Sequence, residues 1–187
     1  MSDLAVPAGR LMPVTMEGVR IVFRNFAGAP TRFNPQGGKR EFAIILEEEL
    51  ARAMERDGWN VKWLPAREQG DTDTPFIKAE IKFSDKSRPN VVLVTSRGRT
   101  TLPEDLLMMV DSADIANVDL IIRPYQWEVN GKSGVKAYLK NMYITIREDE
   151  LDLKYADVPE IQGSIGSMQF DPDEIEGEII EPLAIGS

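Results

Sequence analysis

Along most of the first 147 positions, apolar and polar residues alternate with a period of two, the period of a half-buried strand. Val19, Ile21 and Phe23 alternate with Arg20, Val22 and Arg24; Ile77, Ala79, Ile81 and Phe83 alternate with Lys78, Glu80 and Lys82. Residues 39–46 and 59–64 read as further strands, and 90–96 as a β-rich buried one. The longest strands are 118–129 and 135–147, joined by Asn130-Gly-Lys-Ser-Gly134, a hairpin signal. In the second of these the parity flips, from Val135, Ala137 and Leu139 to Met142, Ile144 and Ile146. A bulge near residues 140–142 is predicted there. Phe23, Phe42, Phe83 and Trp59 are expected in the core.

Two segments break the alternation with helical signals. Residues 47–57 open with Glu47, Glu48 and Glu49, carry Arg52 and Arg56 late and end before Gly58, charges that suit a helix dipole. Residues 103–110 form a second, shorter helix with Pro103 near its start. Strands outnumber helices, and a helix precedes the last hairpin. The expectation is a mainly β, OB-fold-like small barrel with one or two helices, the structural alternative being a β-sandwich. Three regions follow: a flexible arm at 1–15, the barrel at 16–150, and an acidic, mostly disordered tail at 151–187.

Composition narrows the chemistry. The 187 residues include no Cys and no His, which removes thiolate and imidazole metal sites, cysteine nucleophiles and Ser-His-Asp triads. Asn130-Gly-Lys-Ser133 resembles the end of a phosphate-binding loop, but position 126 is Gln rather than the required Gly. Asp71-x-Asp73 and Asp171-x-Asp173 lack the later ligands and glycine of a calcium loop. No run approaches the roughly 18 apolar residues of a membrane span. A soluble, non-enzymatic protein without cofactor or metal is expected.

The net charge of −9 is unevenly placed. Residues 151–187 hold nine acidic side chains against the single Lys154, so the first 150 residues, with 21 basic and 22 acidic, are nearly neutral. The body can therefore carry a basic face. Arg123, Tyr125 and Trp127 share one side of a strand, and Lys136, Tyr138 and Lys140 stand opposite the apolar set of the next. Arg24 and Phe26 share a side of the first strand, with Arg32 and Lys39 expected along the same rim. Cations that track phosphates beside rings that stack on unpaired bases are what a single-stranded nucleic acid requires. Arg97 and Arg99, like Lys86 and Arg88, are turn-borne phosphate contacts on this reading and solvated loops otherwise. In the tail, Phe170, Asp171, Asp173, Glu174, Glu176 and Glu178 could occupy the protein's own basic groove or dock on a partner.

The runs Arg24-Asn-Phe26, Arg32-Phe-Asn34, Gly38-Lys-Arg-Glu-Phe42, Asp57-Gly-Trp-Asn-Val-Lys62, Ile122-Arg-Pro-Tyr125 and Gly134-Val-Lys-Ala-Tyr-Leu-Lys140 carry a resemblance. Over about residues 16–147 the chain resembles the single-stranded DNA-binding proteins of tailed bacteriophages. The resemblance implies an OB-fold and sequence-independent binding of single-stranded DNA. It also implies a role in phage DNA replication, recombination or repair in the cytoplasm of the infected bacterial host, and an acidic tail that recruits replication or recombination proteins. The chain departs from the pattern in ending Pro182-Leu-Ala-Ile-Gly-Ser187, without a terminal aromatic. Two rivals are a phage structural or assembly protein with a β-barrel domain and a metal-dependent nuclease using only Asp and Glu. A homo-oligomer through an exposed strand edge stays open, with no residue to name for it.

Overall fold

The structure, a computed structural model, describes residues 11–159. The chain divides into two units, Met1–Asp149 and Glu150–Ser187. In the first, β1 (Val14–Met16), β2 (Ile21–Asn25) and β3 (Arg40–Ile45) lead into α1 (Glu48–Arg56) and β4 (Val61–Leu64). Then come β5 (Thr74–Ile81), β6 (Asn90–Thr95), β7 (Gly98–Thr101), a 3-10 turn at Glu104–Leu106 and α2 (Met109–Ser112). The long strands β8 (Ile115–Val129) and β9 (Lys132–Ile146) complete it. The described part of the second unit holds α3 (Glu150–Lys154).

β2, β3 and β5 run antiparallel in that order; β5 lies parallel to β9, and β9 antiparallel to β8. This is a mainly β, OB-like arrangement, a partly open barrel. No ladder joins β2 to β8 among the described residues. The chain itself spans that gap: β1 pairs with β8, β2 pairs with β3, and the two are consecutive through Gly18 at φ +60°. Gly18 N–H donates to Asp119 Oδ1 at 2.8 Å, and Val19 N–H to the Val118 carbonyl at 3.0 Å.

Alternation explains the core. Phe42 and Ile44 of β3, Ile77 and Ile81 of β5, Leu120 and Ile122 of β8, and Leu139 and Met142 of β9 belong to one buried cluster. Met16 of β1 joins it and Ile21 of β2 packs against it, so strands from both ends of an open path share one interior and the sheet must curl. Helix α1 closes one side with Ala51 and Met54, and Trp59 is buried beside them.

Where parity flips, Ile121 pairs with Asn141 and Ile122 with Leu139, leaving Lys140 as the extra residue. The bulge predicted from sequence therefore sits at Lys140. It also divides the other edge of β9. Ala137 and Tyr138 pair with β5, whereas residues 141–145 pair with β6. Residues 82–89 leave this edge and rejoin it, closed on themselves by reciprocal hydrogen bonds between Ser84 and Ser87.

Several expectations are corrected. Val14 and Thr15, placed in the flexible arm, belong to β1, because Leu11 and Val14 pack on the core and the β8 edge is available. Residues 98–101, for which no strand was expected, form β7 against β6. The helix expected at 103–110 is a 3-10 turn followed by α2, shifted toward Ser112. Glu150–Lys154 is helical, although most of it lies in the stretch expected to be disordered.

Phe23 is the largest departure. Val22 pairs with Ala43 and Asn25 with Glu41, so Phe23 and Arg24 together oppose the single residue Phe42. In this bulge Phe23 takes φ +50° and stands 61% exposed rather than entering the core.

Candidate nucleic-acid interface

The β8–β9 ladder sets three facing pairs: Arg123 with Tyr138, Tyr125 with Lys136, and Trp127 with Gly134. The alternation of β8 places Arg123, Tyr125 and Trp127 on one face, away from buried Ile122. Tyr125 is 53% exposed and meets Tyr138 edge to face, with ring centres 5.4 Å apart at 78°. The Arg123 guanidinium lies 5.4 Å from the Tyr138 ring and donates to Ser87 Oγ at 2.6 Å, tying β8 to the 82–89 excursion. Beside it, a depression of about 220 Å³ is lined in part by Lys86, Arg88, Arg123 and Lys140.

Tyr138 differs from expectation. It lies on the predicted side of β9 but is only 9% exposed, covered by its neighbours, so it supports the exposed Tyr125 ring rather than offering its own face. Burial, and then the nearby Glu80 charge, raise its hydroxyl pKa above the ordinary tyrosine value.

The same face continues across β5 and β3, where Tyr138 pairs with Glu80 and Glu80 with Glu41. Lys39 bridges both carboxylates at 2.9 and 3.0 Å, Lys78 reaches Glu41 at 3.1 Å, and Lys136 lies 3.7 Å from Glu80. Partial burial alone would lower the Lys39 pKa and raise that of Glu41. The hydrogen bonds and opposite charges of Glu41 and Glu80 around Lys39, and of Lys39 and Lys78 around Glu41, together outweigh burial and reverse both directions. Lys39 and Lys136 thus come together here, joined by Lys78, which was not among the candidate binding residues. The alternation of β5 carried the signal for Lys78, since it places that residue opposite Ile77.

The rim expected from Arg24, Phe26, Arg32 and Lys39 does not form. Phe26 is fully buried and stacks on Phe42 with centres 5.3 Å apart at 16°, so it cannot meet a base. Arg24 is turned to the end of α2, where Nη1 donates to the carbonyls of Val110 and Ala113, both at 2.9 Å. Asp111 completes that latch by accepting from Phe26 and Ala27 N–H at 2.7 and 3.0 Å. Arg32 is exposed on the 26–38 loop beside Phe33, itself 91% exposed. Arg97 and Arg99 stand exposed at the β6–β7 hairpin, which joins the sheet beyond the Lys140 bulge. The tail candidates Phe170, Asp171, Asp173, Glu174, Glu176 and Glu178 lie outside the described residues.

The sequence matches a family model described as "Putative phage ssDNA-binding domain" over residues 5–184. Among curated proteins none matches. Similar solved structures include the single-stranded DNA-binding protein from bacteriophage Enc34 in complex with single-stranded DNA. It has a TM-score of 0.49 and 12% identity, over 73% of this chain and 88% of that one. Another is gp2.5, a single-stranded DNA-binding protein encoded by bacteriophage T7, with a TM-score of 0.35 and 18% identity, over 82% and 97% of the two chains.

Proposed function

We propose, from the premise that this chain belongs to the phage single-stranded DNA-binding domain family, that it binds unpaired DNA without regard to sequence across the outer face of β8, β9, β5 and β3. The observation that carries the reading is the grouping of Arg123, Tyr125, Lys136 and Lys39 on one side of a sheet whose other side is the core. Tyr125 stacks on a base, while Arg123, Lys140, Lys86 and Arg88 hold phosphates at the excursion. Trp127 continues the aromatic row toward the hairpin end. Arg97, Arg99 and Arg32 lie farther out and add diffuse attraction.

The biological setting we infer is replication, recombination or repair of phage DNA in the host cytoplasm. Residues 151–187 would recruit replication or recombination proteins and compete for the basic face. Binding of this kind is non-enzymatic and needs no cofactor.

The test is a titration of oligo-dT into the full chain, followed by tryptophan fluorescence at low and at high salt. Saturable quenching that weakens with salt supports the proposal, and a flat trace with both the full chain and a chain lacking 155–187 overturns it. Tighter binding by the shortened chain would establish competition by the tail.

A further inference from the structure

Two edge-to-face ring pairs stand on the described part of the outer sheet face, and the proposed function uses only one. The other is Phe23 with Phe76, their centres 6.1 Å apart at 68°. Phe76 has the parity of Lys78 and Glu80 on β5 and is absent from the core cluster, although it is only 7% exposed. It is buried on the outer side of the sheet, with Phe23 standing over it at 61% exposure. The first pair has the same construction, with Tyr125 at 53% exposure propped by Tyr138 at 9%. A cation accompanies each: Arg123 lies over Tyr138, and Lys62 is the ladder partner of Phe76.

The conformation of Phe23 is a second, independent observation. Left-handed φ is costly for a bulky aromatic residue, and here it serves to move the ring out of the core and onto the outer face. Ordinary pairing of β2 would have put Phe23 inside beside Phe42. The bulge instead sends Arg24 to α2 and Phe23 outward.

We infer that Phe23, propped on Phe76 with Lys62 beside it, is a second base-stacking platform for the same single strand. This rests on the function proposed above and extends it. Phe76 lies four residues from Glu80, the ladder partner of Tyr138, which separates the two buried props by ~14 Å along β5 and about one strand spacing across it, with the exposed rings farther out, Phe23 on β2 and Tyr125 on β8. Lys78 lies between them on the same face, with Lys39 and Lys136 alongside. One strand crossing the face obliquely, from β8 over β5 to β2, would therefore meet ring, cations and ring in turn.

The test compares the full chain with Phe23→Leu, which keeps an apolar cover on Phe76 but removes the stacking ring. Binding of an oligo-dT of about 16 nucleotides should weaken roughly tenfold, the loss of one stacked base. Equal binding by the two proteins would overturn the platform while leaving the proposed function standing; absence of salt-sensitive binding by the unaltered chain would overturn both. A second measurement avoids the substitution altogether. Oligo-dT carrying iodouracil is photocrosslinked to the unaltered chain, and the adduct is located by mass spectrometry. An adduct on Phe23 supports the platform, whereas adducts confined to β8 and β9 overturn it.

Discussion

Gly134 lies directly against the indole of Trp127: a Cβ at position 134 would stand 2.8 Å from Cζ2 and 3.0 Å from Nε1. The two residues are ladder partners, so the indole lies flush across β9 only because its partner has no side chain. Gly134→Ala should tilt or expel the indole, change the tryptophan emission and cost about 1–3 kcal/mol of stability. Emission spectra and urea unfolding of the variant check this, and an unaltered spectrum would contradict the packing described.

Tyr125 and Tyr138 should separate binding from folding. Tyr125→Leu removes an exposed ring and should weaken oligo-dT binding by about 1–3 kcal/mol, with little change in melting temperature. Tyr138→Leu removes a buried prop and should lower stability as well. Paired thermal melts and titrations distinguish the two.

The raised pKa of Tyr138 has a consequence at alkaline pH. The unfolded chain loses this proton near pH 10, before the folded one does, so stability falls as pH rises through and above that value. Tyr138→Phe should flatten this part of the stability profile, measured by denaturant unfolding across the alkaline range.

Glu41 and Glu80 hold Lys39 and Lys136, lysines of the proposed DNA interface. Glu80→Gln should free Lys136 and leave Lys39 held by Glu41 alone, tighten oligo-dT binding at low salt and steepen the logarithmic salt dependence by about 1. Weaker binding by this variant would show that the carboxylate positions the lysines rather than masking them. Because the Glu41 pKa is lowered on folding, its ion pairs stabilise the chain above the ordinary glutamate value and lose that contribution as pH falls through the lowered one. Glu41→Gln should diminish this acid-side loss in unfolding experiments.

Arg24 tests the other direction, as a cation that lies outside the proposed DNA interface. Its two hydrogen bonds, to the carbonyls of Val110 in α2 and Ala113 just after it, predict that Arg24→Ala destabilises by about 1.5–3 kcal/mol and leaves the salt dependence of binding unchanged. Urea unfolding and a salt titration of the same variant check both parts.

What the sequence made legible is strand parity. The β8–β9 hairpin, the Lys140 bulge and the shared face of Arg123, Tyr125 and Trp127 follow from the alternation of side chains, which a ladder must respect. Phe23, Phe26 and Arg24 were misplaced for a common reason. The β2 bulge adds a residue without disturbing the local apolar pattern, so parity counted along the strand is wrong beyond Val22. Short elements escaped for a different reason: β1 and β7 contain too few residues to show a period, and their existence depends on distant partners, β8 and β6. The Glu41–Lys39–Glu80 network was likewise hidden, because it is assembled by cross-strand register.

The 82–89 excursion departs from and returns to one edge of β9, so the ladders on either side are independent of its length. Insertion or deletion there changes neither the register of β5 nor that of β6, and loop closure charges little for added residues. Because the same segment delivers Lys86 and Arg88 beside Arg123, it is an adjustable module on a fixed frame. Lengthening, shortening or recharging it would alter the proposed grip on a strand without refolding the barrel beneath.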